Sequence, residues 1–368
     1  MNDRALPPGF DRADWKAAAH LPWALRNTAR FLPTAAIARS DDLRRLVSAP
    51  GAMATGSHDW DAYLEQTHTT AVVVCADSRV IDERYRLGAV ASDRQMVFSI
   101  TKSVTGLLAA MLSQWGVIEE DRQVDHYLPD LAGSAFGQAR IDALLAMTDG
   151  VAFDEHYTDP DAQIHVYSKA YWGSAAGGTR AALAALHDRG AQPGRFAYRT
   201  PVADVIAHVI ARATGRTLPD LVADLIWSPM GAECDAAMVL DTAGEAIGGT
   251  GLCAAPRDLA RLGLLLCEHG KRGTRAIVPV AVIERLFAGG DPAVMPADRY
   301  PERVGWSYAA LWWHPGKDRI AAIGVHGQML IIDRAANCVL VHTGASPRPD
   351  NTAMIPRHFA AFDAIGAR

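Results

Sequence analysis

The sequence predicts an α/β protein of the α+β type: one antiparallel sheet flanked by helices and joined to a mainly helical lobe. Three observations carry that prediction. β-Branched and apolar runs lie near residue 70 and again after residue 300, helical periodicity fills most of the stretch between, and a last helical pattern closes the chain. With 368 residues, 49% hydrophobic and 21% charged, the chain can bury a large core without disulfide or metal staples.

Residues 1–69 are punctuated by proline and arginine and read as a lead-in that packs Trp15, Trp23 and Phe31 onto the body. A β-branched run over 70–74, the turn formers Asp77 and Ser78, and the segment 79–85 together predict a hairpin. Val104, Leu107, Leu108, Met111, Leu112 and Trp115 recur at helical spacing, so a largely buried helix spans about 101–114 and stops near Gly116. Further helices are predicted over 202–213, 218–227 and 256–267. Strands follow over 304–313, 320–325, 329–333 and 339–342, then a closing helix over 351–364. The division that results is a lead-in at 1–69, a sheet domain made from 70–118 and 290–368, and a helical lobe over 119–289.

A net charge of −5 lacks the basic excess of a nucleic-acid binder. No run approaches a transmembrane span, and the N-terminus lacks the pattern of a secretory signal. Five scattered cysteines, an odd number without C-x-x-C spacing, suit free thiols in a reducing compartment, so the expected address is cytoplasmic. The expected partner is a small-molecule substrate, with no nucleic acid and no membrane; a homodimer is left open.

The sharpest local feature is Ser99 followed by Lys102, at the point where the apolar Met96, Val97 and Phe98 give way to the buried helix. A serine hydroxyl becomes a good nucleophile when a neighbour takes its proton, and a lysine amine can do so once burial lowers its pKa. One helical turn puts the two side chains on the same face. The Ser99 amide lies near the helix N-terminus, where N–H groups can stabilise an oxyanion. The competing assignment makes Ser99 an N-terminal cap and Lys102 a solvated charge. Residue usage favours chemistry: the chain has five lysines (16, 102, 169, 271 and 317) against 31 arginines, and no other lysine has a serine three residues before it. Arginine cannot act as a proton acceptor.

Residues 98–106 resemble the active-site segment of serine β-lactamase-related hydrolases of the class C and penicillin-binding-protein-like group. Segments 127–131, 141–150, 248–252 and 257–263 resemble further segments of that group in the same order. Within it, 157–160, 324–328 and the lead-in segment 31–37 are most similar to 6-aminohexanoate-dimer hydrolases and their carboxylesterase relatives. The resemblance implies a β-lactamase/transpeptidase-like fold and acyl transfer through a serine ester, with no cofactor and no metal. It also implies that Tyr198, in Tyr198-Arg199-Thr200, partners Ser99 and Lys102 by relaying protons, as phenolate or phenol. Without the resemblance, Tyr198 would read as an aromatic anchor beside Phe196, with Thr200 capping a helix that opens at Pro201.

The departures from the group's pattern also carry information. Thr200 stands in place of an asparagine, and the K-T-G strand is replaced by Ala322-Ile323-Gly324-Val325. A backbone N–H is indifferent to side chain, so Val325 can still serve the oxyanion beside Ser99. The missing strand lysine removes a cation for a β-lactam carboxylate, so penicillin hydrolysis is expected to be weak. Tyr157 resembles a loop tyrosine that closes over substrate, in a lid over 154–172. Ser168 stands where the nylon-oligomer hydrolases place an acidic residue for the substrate amine. His326 and Trp172 complete the expected substrate-binding set, His326 being a candidate to polarise a carbonyl and Trp172, with Trp306, Trp312 and Trp313, to line an apolar acyl pocket.

Three other readings compete. Ser307 in Gly305-Trp306-Ser307-Tyr308-Ala309 nearly matches the nucleophile elbow of α/β-hydrolases, but it sits in a β pattern followed by more β. Asp154, Glu155, His156, Asp159, Asp161 and His165 crowd metal-ligand residue types into one loop without a known spacing. A catalytically silent binding protein on the same scaffold is the third, and intact Ser99, Lys102 and Tyr198 argue against it. The sequence therefore predicts a serine hydrolase cleaving an amide or ester of a small linear substrate, with a carboxylesterase of weak β-lactamase activity as the variant reading.

Overall fold

The computed structural model describes residues 6–49, 59–173, 175–190 and 192–366. The strands are, in order, β1 (Thr34–Ile37), β2 (Val47–Ser48), β3 (Thr69–Ala76), β4 (Arg79–Tyr85), β5 (Gln95–Met96), β6 (Ala236–Val239), β7 (Leu252–Ala254), β8 (Lys271–Arg272) and β9 (Arg275–Ala276), then β10 (Ser307–Ala309), β11 (Trp312–Gly316), β12 (Arg319–Gly324), β13 (Gln328–Asp333) and β14 (Cys338–Gly344). An eight-stranded sheet runs in the order β10-β11-β12-β13-β14-β3-β4-β2, so strands from both halves of the chain share it as expected. Its central seam is the antiparallel pairing of β14 with β3, Leu340 opposite Val74 and Val341 opposite Val73.

Side chains alternate across this sheet, and the two faces meet different helices. On one face Val339 meets the helix Pro256–Cys267, where a Cβ on Gly263 would stand 2.5 Å from Val339 Cγ1. On the other, His342 packs against Tyr63 of the helix Trp60–Gln66 and His358 of the helix Ile355–Gly366. The helix Pro256–Cys267 thus covers the sheet, although chain order had grouped it with the helical lobe. Its run of buried leucines requires an apolar face, and the sheet supplies one. The lead-in likewise does more than pack: β1 joins a second sheet, ordered β1-β6-β7-β5, pairing Thr34 with Val239.

The helix Ile100–Gln114 occupies the centre, buried from Ile100 through Leu112, between the sheet and the helix Thr200–Thr214. Its hydroxyls pin it in place: Thr105 Oγ1 donates to Gly248 O at 2.9 Å, Ser103 Oγ to Leu311 O at 2.9 Å, and Thr101 Oγ1 accepts from Leu252 N at 2.9 Å. The single strand expected over 304–313 is two strands, β10 and β11, reversing at Ala310 and Leu311 with φ of 47° and 60°. Nothing in those two residues announces a turn; tertiary contacts impose it. The reversal is pressed against the central helix so closely that a Cβ on Gly106 would lie 2.0 Å from Ala310 O. The helix expected over 218–227 passes at residue 223 from α to a π turn, Ala223–Trp227.

Among the described residues no helix is long and apolar enough to cross a membrane. All five cysteines are unpaired, and Cys75, Cys253, Cys267 and Cys338 are buried.

The contact between Gly106 and Ala310 is testable. Alanine at position 106 gains about 1 kcal/mol of helix propensity, yet it must displace backbone, at a cost of about 1–3 kcal/mol or more. Gly106→Ala is therefore expected to lower the urea midpoint. Gly133→Ala, whose Cβ would meet nothing within 4 Å, is expected to stay within about 0.5 kcal/mol of the parent.

Candidate active site

Ser99 and Lys102 are both buried, with 5% and 1% of their surface exposed. Lys102 Nζ lies 2.7 Å from Ser99 Oγ and donates to Gly249 O at 2.9 Å. Ser99 occupies the N-cap position of the central helix, but its side chain makes no capping hydrogen bond. The structure thus sets aside the pairing of a capping serine with a solvated lysine. Burial lowers the Lys102 amine to about 8, against the opposing pull of Glu155 and Asp204.

Tyr198 completes this group. Lys102 Nζ stands 5.1 Å from the centre of its ring, and the ring stacks on Trp313 at 5.7 Å. Burial, reinforced by the Glu155 charge, pushes the Tyr198 phenol up, while a hydrogen bond with Ser99 pulls it back. The side chain therefore rests as a phenol, and the phenolate form allowed by the sequence reading is disfavoured at neutral pH. Its backbone is fixed on both sides. Tyr198 N–H donates to Tyr300 Oη at 3.1 Å. The adjacent Arg199 forms a buried ion pair with Asp149 at 2.7 Å and donates to Val151 O.

Two carboxylates that the sequence did not single out in these roles hold the site from behind. Glu155, read above only within a metal-ligand cluster, is buried. It accepts the Tyr157 hydroxyl at 2.5 Å, the Thr200 hydroxyl at 2.5 Å and the Thr200 N–H. The helix Thr200–Thr214 is thus capped by a carboxylate 45 residues away, and Thr200 is the first residue it receives, not the cap. Asp204 accepts the Gly249 N–H at 2.9 Å and the hydroxyls of Tyr167 and Tyr171. Burial raises its carboxyl to about 6, with the two phenols and Lys102 opposing. Gly249 therefore links Asp204 through its N–H to Lys102 through its carbonyl.

A cleft with two arms opens onto Ser99. Tyr157 and Val325 line both arms; Tyr198 and Trp313 line one, Ser168, Trp172 and His326 the other. The structure thus brings the residues of the expected site to one cleft, with Lys102 behind Ser99 and joined to it through Nζ. Ser168 turns its hydroxyl to His165 O at 2.9 Å. His326 adopts a left-handed φ of 62° and donates from Nδ1 to Ser346 O at 2.7 Å. Burial holds its imidazole down to about 4, so it is neutral at pH 7. Of the other tryptophans, Trp312 is core, and Trp306 packs on Phe359 away from the cleft.

The rival residues are placed elsewhere. Ser307 lies in β10, buried, its Oγ accepting from Gly290 N at 3.1 Å. In the acidic loop, Asp154 pairs with His156 at 2.5 Å and Asp159 accepts from Asp161 N, while Glu155 points inward. Among the described residues no three such side chains stand together as metal ligands.

Comparison with known proteins gives the family. The family model described as Beta-lactamase matches residues 60–358. A 6-aminohexanoate-dimer hydrolase of Paenarthrobacter ureafaciens is 31% identical over 349 residues, covering 91% of this chain and 88% of its own. A Bacillus anthracis structure provisionally assigned as a 6-aminohexanoate-dimer hydrolase superposes with a TM-score of 0.85 at 24% identity, covering 98% of this chain and 97% of its own. EstCE1, a hydrolase with promiscuous acyltransferase activity, shares the fold at a TM-score of 0.66 and 17% identity, covering 83% and 96%. A serine and a lysine joined in a buried cleft, on a sheet closed from both ends of the chain, thus coincide with a family match over most of its length, and the chain belongs to the beta-lactamase family.

Proposed function

We propose that this protein is a cofactor-independent serine hydrolase that cleaves an amide or ester of a small linear substrate through an acyl-enzyme. One observation carries the reading: a buried lysine amine 2.7 Å from a serine hydroxyl that is free of any capping role. Ser99 Oγ attacks the acyl carbon as its proton passes to neutral Lys102. The N–H groups of Ser99 and Val325 take up the charge on the carbonyl oxygen. Tyr198, resting as a phenol, hands a proton to the departing amine or alkoxide and is reprotonated from Lys102. Tyr157 positions the substrate beside the leaving group. Water then enters along the same path, and Ser99 is released with the acid. Support for amide and ester chemistry comes from the relatives: one is named a 6-aminohexanoate-dimer hydrolase, and a fold neighbour is a family VIII carboxylesterase. The reading includes a cytoplasmic address, supported by five unpaired thiols.

Two measurements test it. With a chromogenic short-chain nitrophenyl ester, the parent should show a burst followed by turnover. Ser99→Ala should lose both, kcat/KM falling by about a thousandfold or more, while Ser307→Ala keeps them; full activity in folded Ser99→Ala would overturn the assignment.

The second is the pH profile. Lys102 must be deprotonated to accept the serine proton, and burial places that ionisation at about 8. The acylation rate should therefore rise about tenfold per pH unit below that value and level off above it. Lys102→Arg, which cannot deprotonate, should abolish acylation across the range.

A further inference from the structure

The two arms of the cleft differ in chemistry. Tyr198, which serves the leaving group, lines one arm and is absent from the other. The second arm, a pocket of about 240 Å³, therefore receives the acyl chain; this assignment rests on the acyl-enzyme reading above. Phe98, Ile164, Tyr171 and Trp172 give it apolar walls suited to methylene groups.

Its one charged group points to one class of ligand. Lys16, from the lead-in, lines the pocket with its ammonium 5.2 Å from the centre of the Trp172 ring and 5.7 Å from that of Trp15. Trp15 is itself buried and stacks on Phe98, the residue before the nucleophile, so the lead-in is anchored there. Lys16 is exposed at the mouth of the pocket, and no aspartate or glutamate is among the described residues of the wall. The neighbouring carboxylates are engaged: Glu155 by Tyr157 and Thr200, Asp204 by Tyr167, Tyr171 and Gly249. His165 Nε2 and Thr250 Oγ1, both in this wall, are buried polar atoms without a partner among the described residues. Lys16 is the one charged side chain among the described residues of the wall, and an ammonium beside an apolar pocket matches a carboxylate, to which the Thr250 hydroxyl, and His165 in its Nε2–H tautomer, can also donate. A substrate ammonium would meet Lys16 with nothing to offset it.

We propose that this pocket takes an acyl chain ending in a carboxylate, so that the preferred substrates are half-esters or half-amides of linear dicarboxylic acids, with Lys16 as the residue that selects them.

The test compares three nitrophenyl esters of similar length, with acyl chains tipped by a carboxylate (adipoyl), a methyl (hexanoyl) and an ammonium (6-aminohexanoyl). The adipoyl ester should exceed the other two in kcat/KM by tenfold or more. Lys16→Gln should reduce the adipoyl-to-hexanoyl ratio by about that factor, and Lys16→Glu should shift preference to the ammonium-tipped ester, which a misfolded variant would not do. Turnover of all three esters through Ser99 at similar rates, or an unchanged ratio in Lys16→Gln, overturns the anionic pocket and leaves the serine-hydrolase reading standing. If no ester is cleaved, that reading fails. The pocket is then decided by calorimetry with free adipate and hexanoate: tenfold tighter binding of adipate, lost in Lys16→Gln, upholds it, and equal binding overturns it.

Discussion

A lysine amine withdrawn from water beside a serine hydroxyl is the constraint around which this molecule is arranged. The downward shift of Lys102 to about 8 corresponds to a penalty on the charged form on the order of 3 kcal/mol. Among the described residues no carboxylate touches the amine. It meets a carbonyl and the serine instead, so the nearest negative charges act from a distance and leave the amine basic yet able to lose its proton. A direct ion pair in that position would hold the lysine charged and remove the base.

Keeping such a group in place demands that its neighbours be immobile, and the supports are polar bonds in a dry interior. Asp204 orients Gly249, Glu155 caps the helix behind Tyr198, and the Arg199–Asp149 pair anchors the next residue. Breaking a buried pair by removing one partner costs several kcal/mol, because the other charge is left uncompensated. The central helix is fixed in the same manner by Thr101, Ser103 and Thr105, whose hydroxyls bind backbone groups of the surrounding segments. The nucleophile is thus held by a scaffold that draws on residues from 98 to 311.

What was legible in the sequence follows from the range of the forces involved. The helices over 100–114 and 256–267 and the hairpin at 69–85 are set by local periodicity and by turn formers, and they stand where periodicity put them. Ser99 and Lys102 were visible because one helical turn separates them. Tyr198 was visible only through resemblance, since nothing local ties it to residues a hundred positions earlier. Glu155 and Asp204 are two acidic residues among 41, and their partners lie up to 45 positions away, so no spacing marks them. The reversal at Ala310 and Leu311 carries no glycine, asparagine or proline; it exists because Ser103 of the central helix and the carbonyl of Leu145 claim its backbone. The lead-in showed its aromatic anchors, but neither the strand it gives to the second sheet nor the lysine it gives to the cleft.

The pairing of β3 with β14 has a bearing on how the chain is made. Thr69 lies opposite Gly344, so the main sheet cannot close until the chain has been synthesised through residue 344. The central helix, with thirteen residues that end up buried, is in place long before its cover exists. At about 5–20 residues per second, the wait from residue 100 to residue 344 is on the order of ten to fifty seconds. For that interval the nascent chain presents an apolar helix with no sheet to receive it. Until β14 emerges, that apolar helix is the part of the nascent chain most open to aggregation.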